Sequence, residues 1–162
     1  MWDNKISDIR TSLLKSLLVL TDEKLNQKPS KNEWSIAQIA LHLAAAETRF
    51  MTLAMESAEN PEAEEGALVD LSIFEDPTKK MIAPIEPPSD FRTKKQVMNA
   101  LSKSRTLTDS FLKKYTSADL EGKMMNHHRF GIMPIWQVFE MLGKHEERHI
   151  HQIEQCKKKL FS

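Results

Sequence analysis

The sequence predicts an all-α fold: a bundle of four principal helices in one domain spanning residues 1–162. Three observations carry that reading. Apolar residues recur at steps of three and four along the long segments, the mark of one buried stripe per helix. Two of those segments open on capping-box spacing, Ser35 with Gln38 and Thr93 with Gln96. Four glycines in 162 residues are too few for a long, turn-rich β architecture. Helices of this kind, joined by one or more long connections, pack as a bundle.

The first helix is expected over about Asp3 to Leu20. Its stripe, Ile6, Ile9, Leu13, Leu17 and Leu20, carries no ionisable residue and reads as pure packing. Residues 21–33 are polar, contain Pro29 and read as a connector. The second helix should run from Ile36 to about Glu59. Ser35 caps it, and Trp34 with Ile39 can form the hydrophobic staple. One of its faces reads Ile39, His42, Ala46, Phe50, Leu53, so His42 points inward, and the nearby Ala40, Ala44, Ala45 and Ala46 let another helix approach closely.

Residues 60–88 break the pattern, with five of the seven prolines and the acidic run Glu62, Glu64, Glu65. A connection of that length is uncommon in a compact domain. It reads as a solvated crossover loop. The third helix is expected from near Thr93 to about Tyr115, followed by one short turn of helix at 117–120. Residues 121–131 then read as a loop carrying His127, His128 and Arg129. Pro134 suits the first position of the final helix, where its missing N–H costs nothing. That helix continues to Leu160, and Lys157, Lys158 and Lys159 suit the negative end of its dipole. Gly143 inside it should cost about 1 kcal/mol against alanine, which asks for a packing reason.

The final stretch organises the function. Its buried stripe is Ile135, Val138, Leu142, His145, His149, Ile153, Cys156, Leu160. Two histidines one turn apart stack on one helix face and can grip one metal ion. His42 is the natural third ligand. Three neutral imidazoles leave at least one coordination position open, as in catalytic rather than closed structural zinc sites. Cys156 is two turns from His149, too far to share that metal. His151 points away from the pair. Glu47 and Glu146 are candidates to orient the imidazoles from behind.

His145-Glu146-Glu147-Arg148-His149 also matches the zinc-protease pattern H-E-x-x-H. The chain after His149 lacks the downstream glycine and third ligand such proteases need, and Glu154 is too close on the same helix to serve. The protease reading is set aside. His127 and His128 stand beside the start of the last helix. They read as exposed loop histidines, with a substrate or proton-relay role at the mouth of the site as the functional alternative.

Formal net charge is zero, which gives no argument for nucleic acid. One cysteine excludes an internal disulfide framework. No apolar run approaches the roughly 20 residues needed to span a bilayer, and the first residues lack the pattern of a signal peptide. A cytoplasmic protein that binds neither membrane nor nucleic acid is the expectation.

Two stretches also resemble a known family. Leu25-Asn26-Gln27-Lys28-Pro29, then Glu33-Trp34-Ser35-Ile36-Ala37-Gln38-Ile39 and His42-Leu43, resemble the opening motif of the DinB-like superfamily. His128, Phe130-Gly131 and the run from His145 to Ile153 resemble its closing motif. Met133 departs from the pattern, standing where relatives often carry a Thr or Ser cap. The resemblance implies an up-down-down-up four-helix bundle with one long crossover and a divalent-metal site. The family's ligands fall on His42, His145 and His149. The resemblance also implies a frequent homodimer, and characterised members include thiol S-transferases that use bacillithiol, mycothiol or glutathione, and a thiol-dependent maleylpyruvate isomerase.

The two lines together suggest a transferase joining a low-molecular-weight thiol, as co-substrate, to a small electrophile held by the crossover loop. Zinc or nickel is the expected metal, although iron and copper also suit imidazole. No separate cofactor-binding residues stand out. The competing readings are a metal-dependent hydrolase in which Glu146 or His128 moves protons, and a non-catalytic bundle whose metal only holds helices together.

Overall fold

A computed structural model describes residues 1–161. Helix α1 spans Trp2–Leu18, α2 Asp22–Asn26, α3 Ile36–Glu59, α4 Lys94–Lys114 and α5 Val138–Phe161. Contacts between them give the course. Trp2 and Ile9 meet Gly143, Arg10 meets Glu146 and Ser16 meets Glu154, so α1 and α5 run the same way. Glu47 meets Thr108 and Glu59 meets Lys114, so α3 and α4 do too. Ile6 lies against Arg105 and Leu18 against Lys94, so α1 and α4 oppose each other. The bundle is up-down-down-up, and the parallel pair α3–α4 requires the long crossover.

The helix starts follow their sequence signals. Both capping boxes form: Ser35 and Thr93 each accept from the backbone N–H of Gln38 and Gln96, whose side chains reach back to the cap. Gly143 has its packing reason. A methyl group there would stand 2.7 Å from the ring of Trp2, so α1 and α5 touch through glycine.

Several expectations need correction. The connector at 21–33 contains α2, capped by Thr21, whose side chain accepts from Lys24 N–H. It buries Leu25 completely, which explains why a five-residue helix persists. Residues 117–120 form a turn, not a helix. The loop at 121–131 contains strand β1, Met124–His127, paired antiparallel with β2, Gly131–Pro134. Its turn closes on Gly131 at φ +75°, a conformation that suits glycine. Met125 and Met133 are fully buried beneath this hairpin, and that burial favours strand pairing over a loop. Pro134 therefore ends a strand rather than opening the last helix, and Met133 is not at a helix cap. A 3-10 turn, Ile135–Gln137, leads into α5.

The largest correction concerns the first helix, which is not pure packing. Arg10 is buried, and its guanidinium donates to Glu47 Oε1 at 2.7 Å and Glu146 Oε1 at 2.8 Å. Arg105 Nε donates to Glu47 Oε2 at 2.7 Å, and the Thr108 hydroxyl donates to the same oxygen at 2.5 Å. These residues form a charged layer across the bundle. On one side lie Ile6, Met51, Phe111 and Leu142; on the other lie Leu13, Leu43, Leu101 and Ile153. The apolar core is split in two by a charge-balanced polar sheet. Among the described residues, no helix is long and apolar enough to cross a membrane.

Candidate metal centre

The three histidines come together. His42 and His145 are buried and His149 is partly buried. His42 Nε2 lies 3.2 Å from His145 Nε2. One ligand nitrogen from each of the three rings lies within 4.8 Å of the others. The local reason is helix geometry. His145 and His149 are one turn apart on α5, and α3 crosses them antiparallel with His42 facing inward.

The residues fit a divalent ion. Zinc–imidazole bonds of about 2.0–2.1 Å at tetrahedral angles place neighbouring nitrogens roughly 3.3–3.4 Å apart, close to the His42–His145 separation. His149 Nδ1 is hydrogen-bonded to Gln152 Oε1 at 2.7 Å, which holds that proton on Nδ1 and leaves Nε2 with a free lone pair. All three rings are held neutral, the form that ligates. Burial, then the neighbouring His149 and Arg49, bring His42 to about 3. Burial also takes His149 to about 4 and His145 well below its usual range.

The triad opens on a cavity of about 750 Å³. Trp34, Ile39, Phe50, Phe74 and Phe130 give it apolar walls. The crossover loop closes one side through Lys79, Lys80, Met81 and Pro84. Arg148, next to His149, fastens that loop: its guanidinium donates to the carbonyls of Ile73 at 3.2 Å and Asp76 at 2.9 Å, and to that of Lys79. The crossover is thus a wall of the site as well as a solvated connection. Trp34 Nε1 adds a hydrogen bond to Glu86 at 3.1 Å.

The other candidates divide. Glu146 follows His145 in sequence but turns into the charged layer with Arg10, and Glu47 does the same. Neither carboxylate touches an imidazole, so the orienting role expected of them falls to Gln152 at His149. His128 is exposed on the cavity rim. His127, expected to be exposed, is 5% exposed and lines the cavity, with its ring stacked on that of His128 at 4.4 Å. Its Nδ1 accepts from the backbone N–H groups of Arg129 at 3.0 Å and Phe130 at 3.4 Å. Its single proton therefore sits on Nε2, and burial holds its pKa down to about 4. His151 is exposed at the rim, as its offset from the pair requires. Cys156 is buried on the cavity wall, outside the histidine cluster, and burial pushes its thiol up to about 11. Arg49 was missed. It is half-buried on the cavity wall, and its charge reaches both His42 and His145. Its spacing, seven residues after His42, was the available signal.

The profile of the DinB superfamily matches residues 6–153. The chain belongs to the DinB superfamily. It is 29% identical over 156 residues to the uncharacterized protein YuaE of Bacillus subtilis (strain 168), covering 95% of this chain and 96% of YuaE. Its fold is similar to that of TT2238, a four-helix bundle protein, with a TM-score of 0.67 at 14% identity, over 96% of this chain and 99% of the other. It is also similar to YfiT from Bacillus subtilis, described as a probable metal-dependent hydrolase with an unusual four-helix bundle topology. There the TM-score is 0.66 at 14% identity, over 98% of this chain and 85% of YfiT. At that identity the two structures speak to the fold. This DinB-superfamily chain carries a buried histidine triad of a kind able to hold a metal.

Proposed function

We propose that this chain is a divalent-metal-dependent transferase that joins a low-molecular-weight thiol to a small electrophile. His42, His145 and His149 would hold the ion. A divalent ion held there supplies a Lewis-acidic open position that favours the deprotonated form of a coordinated thiol or water.

The observation that carries the thiol reading is the absence of a free carboxylate beside the triad among the described residues. Glu47 and Glu146 are committed to arginines, and Glu33, the one carboxylate among the described residues that lines the cavity, is paired with Lys159 at 2.6 Å. Water as nucleophile usually calls for a positioned base. A thiol is already acidic enough to lose its proton on coordination. The rest of the chain then binds and orients. Trp34, Phe50 and Phe74 exclude water from the apolar part of an electrophile. His127 offers its Nε2–H to an oxygen of the substrate. The crossover loop, fastened by Arg148, holds the outer wall. In the reaction a C–S bond forms as the bond from carbon to the leaving group breaks. The thiol proton passes to solvent.

A hydrolase is the second reading. It is favoured by the fold likeness to YfiT and by His128, an exposed imidazole at the rim that can exchange protons with water. Product analysis separates the two. With an activated aryl halide, a thioether formed only when glutathione or cysteine is present supports transfer. A phenol formed at the same rate without thiol supports hydrolysis. Loss of both products, and of bound metal, in His42→Ala, His145→Ala and His149→Ala variants ties either activity to the triad. If neither product forms with the metal-loaded protein, the enzymatic reading fails and the metal is structural.

A further inference from the structure

The cavity is far more cationic than the molecule that contains it. The whole chain has 23 basic and 23 acidic side chains. Among the described residues, the cavity is lined by Arg49, Lys79, Lys80, Arg129, Arg148 and Lys159 against a single carboxylate, Glu33. Two of these cations are occupied: Lys159 pairs with Glu33, and Arg148 holds the loop carbonyls. Lys79, Lys80 and Arg129 are exposed at the rim. Arg49 differs from all of them. It stands on a rigid helix, half-buried, with no ion pair to any carboxylate among the described residues. Seven residues, about two helical turns, separate it from His42, which puts both on one face of α3.

A charge withdrawn from water without a partner is costly. The two other arginines of the bundle interior, Arg10 and Arg105, are each paired with carboxylates. Arg49 instead lines a cavity with apolar walls. Guanidinium forks match planar oxyanions through two parallel hydrogen bonds. We infer that the cavity takes a small organic monocarboxylate with an apolar body, and that Arg49 holds its carboxylate group. One half-buried guanidinium balances one negative charge. A phosphate dianion would need more donors than this wall buries. A ligand anchored at Arg49 would lay its body along Phe50 and Phe74, toward the triad. The inference rests on the proposed function only in taking the triad as the place where that ligand reacts.

The test uses matched pairs and does not depend on turnover. Benzoate, benzamide and phenylphosphonate are titrated calorimetrically into the full chain, with bound zinc and after zinc removal. The parent should bind benzoate at least about tenfold more tightly than benzamide in both states, as a charge-assisted fork requires. Arg49→Gln should bring the two ligands to within about twofold. Arg49→Lys should keep part of the preference, because it keeps the charge and loses the fork. Lys103→Gln, an exposed change on α4, serves as the control for net charge and should leave the preference intact. Circular dichroism checks folding; if Arg49→Gln does not fold, Arg49→Lys must weaken benzoate while leaving benzamide unchanged. Equal affinity for acid and amide in the parent overturns the inference. So does a preference that survives Arg49→Gln and disappears with zinc, since the carboxylate would then be on the metal. Tighter binding of phenylphosphonate than of benzoate overturns the choice of carboxylate. Failure of the proposed function would appear elsewhere, in metal content and products.

Discussion

The bundle buries two polar clusters on the same pair of helices, and they are completed in opposite ways. His42 and Glu47 stand on α3, His145 and Glu146 on α5. The glutamates turn into the sealed interior, where Arg10, Arg105 and Thr108 meet them with hydrogen bonds and balancing charge. The histidines turn to a cavity, where two ring nitrogens face each other at 3.2 Å and a third stands nearby. One cluster is charge-balanced within the protein. The other lines a cavity and is of a kind able to take an ion. A buried polar cluster whose charges the fold balances holds structure, and one that opens on a cavity is the candidate for chemistry.

The sharpest way to break this contrast is Glu47→Ala. It leaves Arg10 and Arg105 short of a partner in the core and should cost about 3–5 kcal/mol, read by chemical denaturation. A loss under about 1 kcal/mol would mean the layer is not holding the bundle. Zinc should act only on the other cluster. At a free concentration of 100 times its dissociation constant it should add about 2.7 kcal/mol of stability. His145→Ala should abolish that gain while changing the metal-free protein by about 1 kcal/mol or less. Were the metal-free variant to unfold as readily as Glu47→Ala, the triad would belong to the structural cluster.

Acid sharpens the same line. Burial pushes the Glu47 carboxyl up, but Arg105, Arg10 and the Thr108 hydroxyl outweigh it and hold its pKa below the ordinary 4.5. A folded pKa below the unfolded one contributes stability that is fully present above about pH 4.5. It is lost as pH falls through the folded value. The stability gap between parent and Glu47→Gln should therefore be widest near neutrality and close below pH 4.5; a gap constant down to pH 3 would contradict it. Gly143→Ala should have the smallest effect. Overpacking against Trp2 costs about 1–3 kcal/mol, and the gain in helix propensity returns about 1 kcal/mol. Thermal melting should show a modest loss with metal stoichiometry unchanged.

Most of the bundle was legible because its signals are local. The Ser35–Gln38 and Thr93–Gln96 boxes lie within one helical turn, and the stripe of α5 needs only its own period. The triad was legible for the same reason: two of its members are one turn apart, and the third sits on the inward face of a well-marked helix. What escaped depends on distant partners. Arg10 gives no signal in the sequence, and the first helix reads as pure packing, because its partners are 37 and 136 positions away. The hairpin strands are four residues each, too short for an alternating pattern to stand out from a loop. His127 reads as exposed without that hairpin, which is what buries it. Glu146 reads as a candidate to orient an imidazole, or to carry protons in the hydrolase alternative, because it adjoins a ligand candidate in sequence, but one residue of helix turns its side chain toward α1.

Arg148 grips the crossover by main-chain oxygens, not by side chains. Every residue type has the same carbonyl, so the anchor does not read the identity of the residues it holds. Lys79 can be exchanged without loosening it, and neighbours such as Lys80, Met81 and Ile82 are not gripped at all. The wall that meets a ligand is free to diversify while His149, one residue from the anchor, stays in register. A single histidine-triad frame can in this way be given many different cavity walls, one loop sequence at a time.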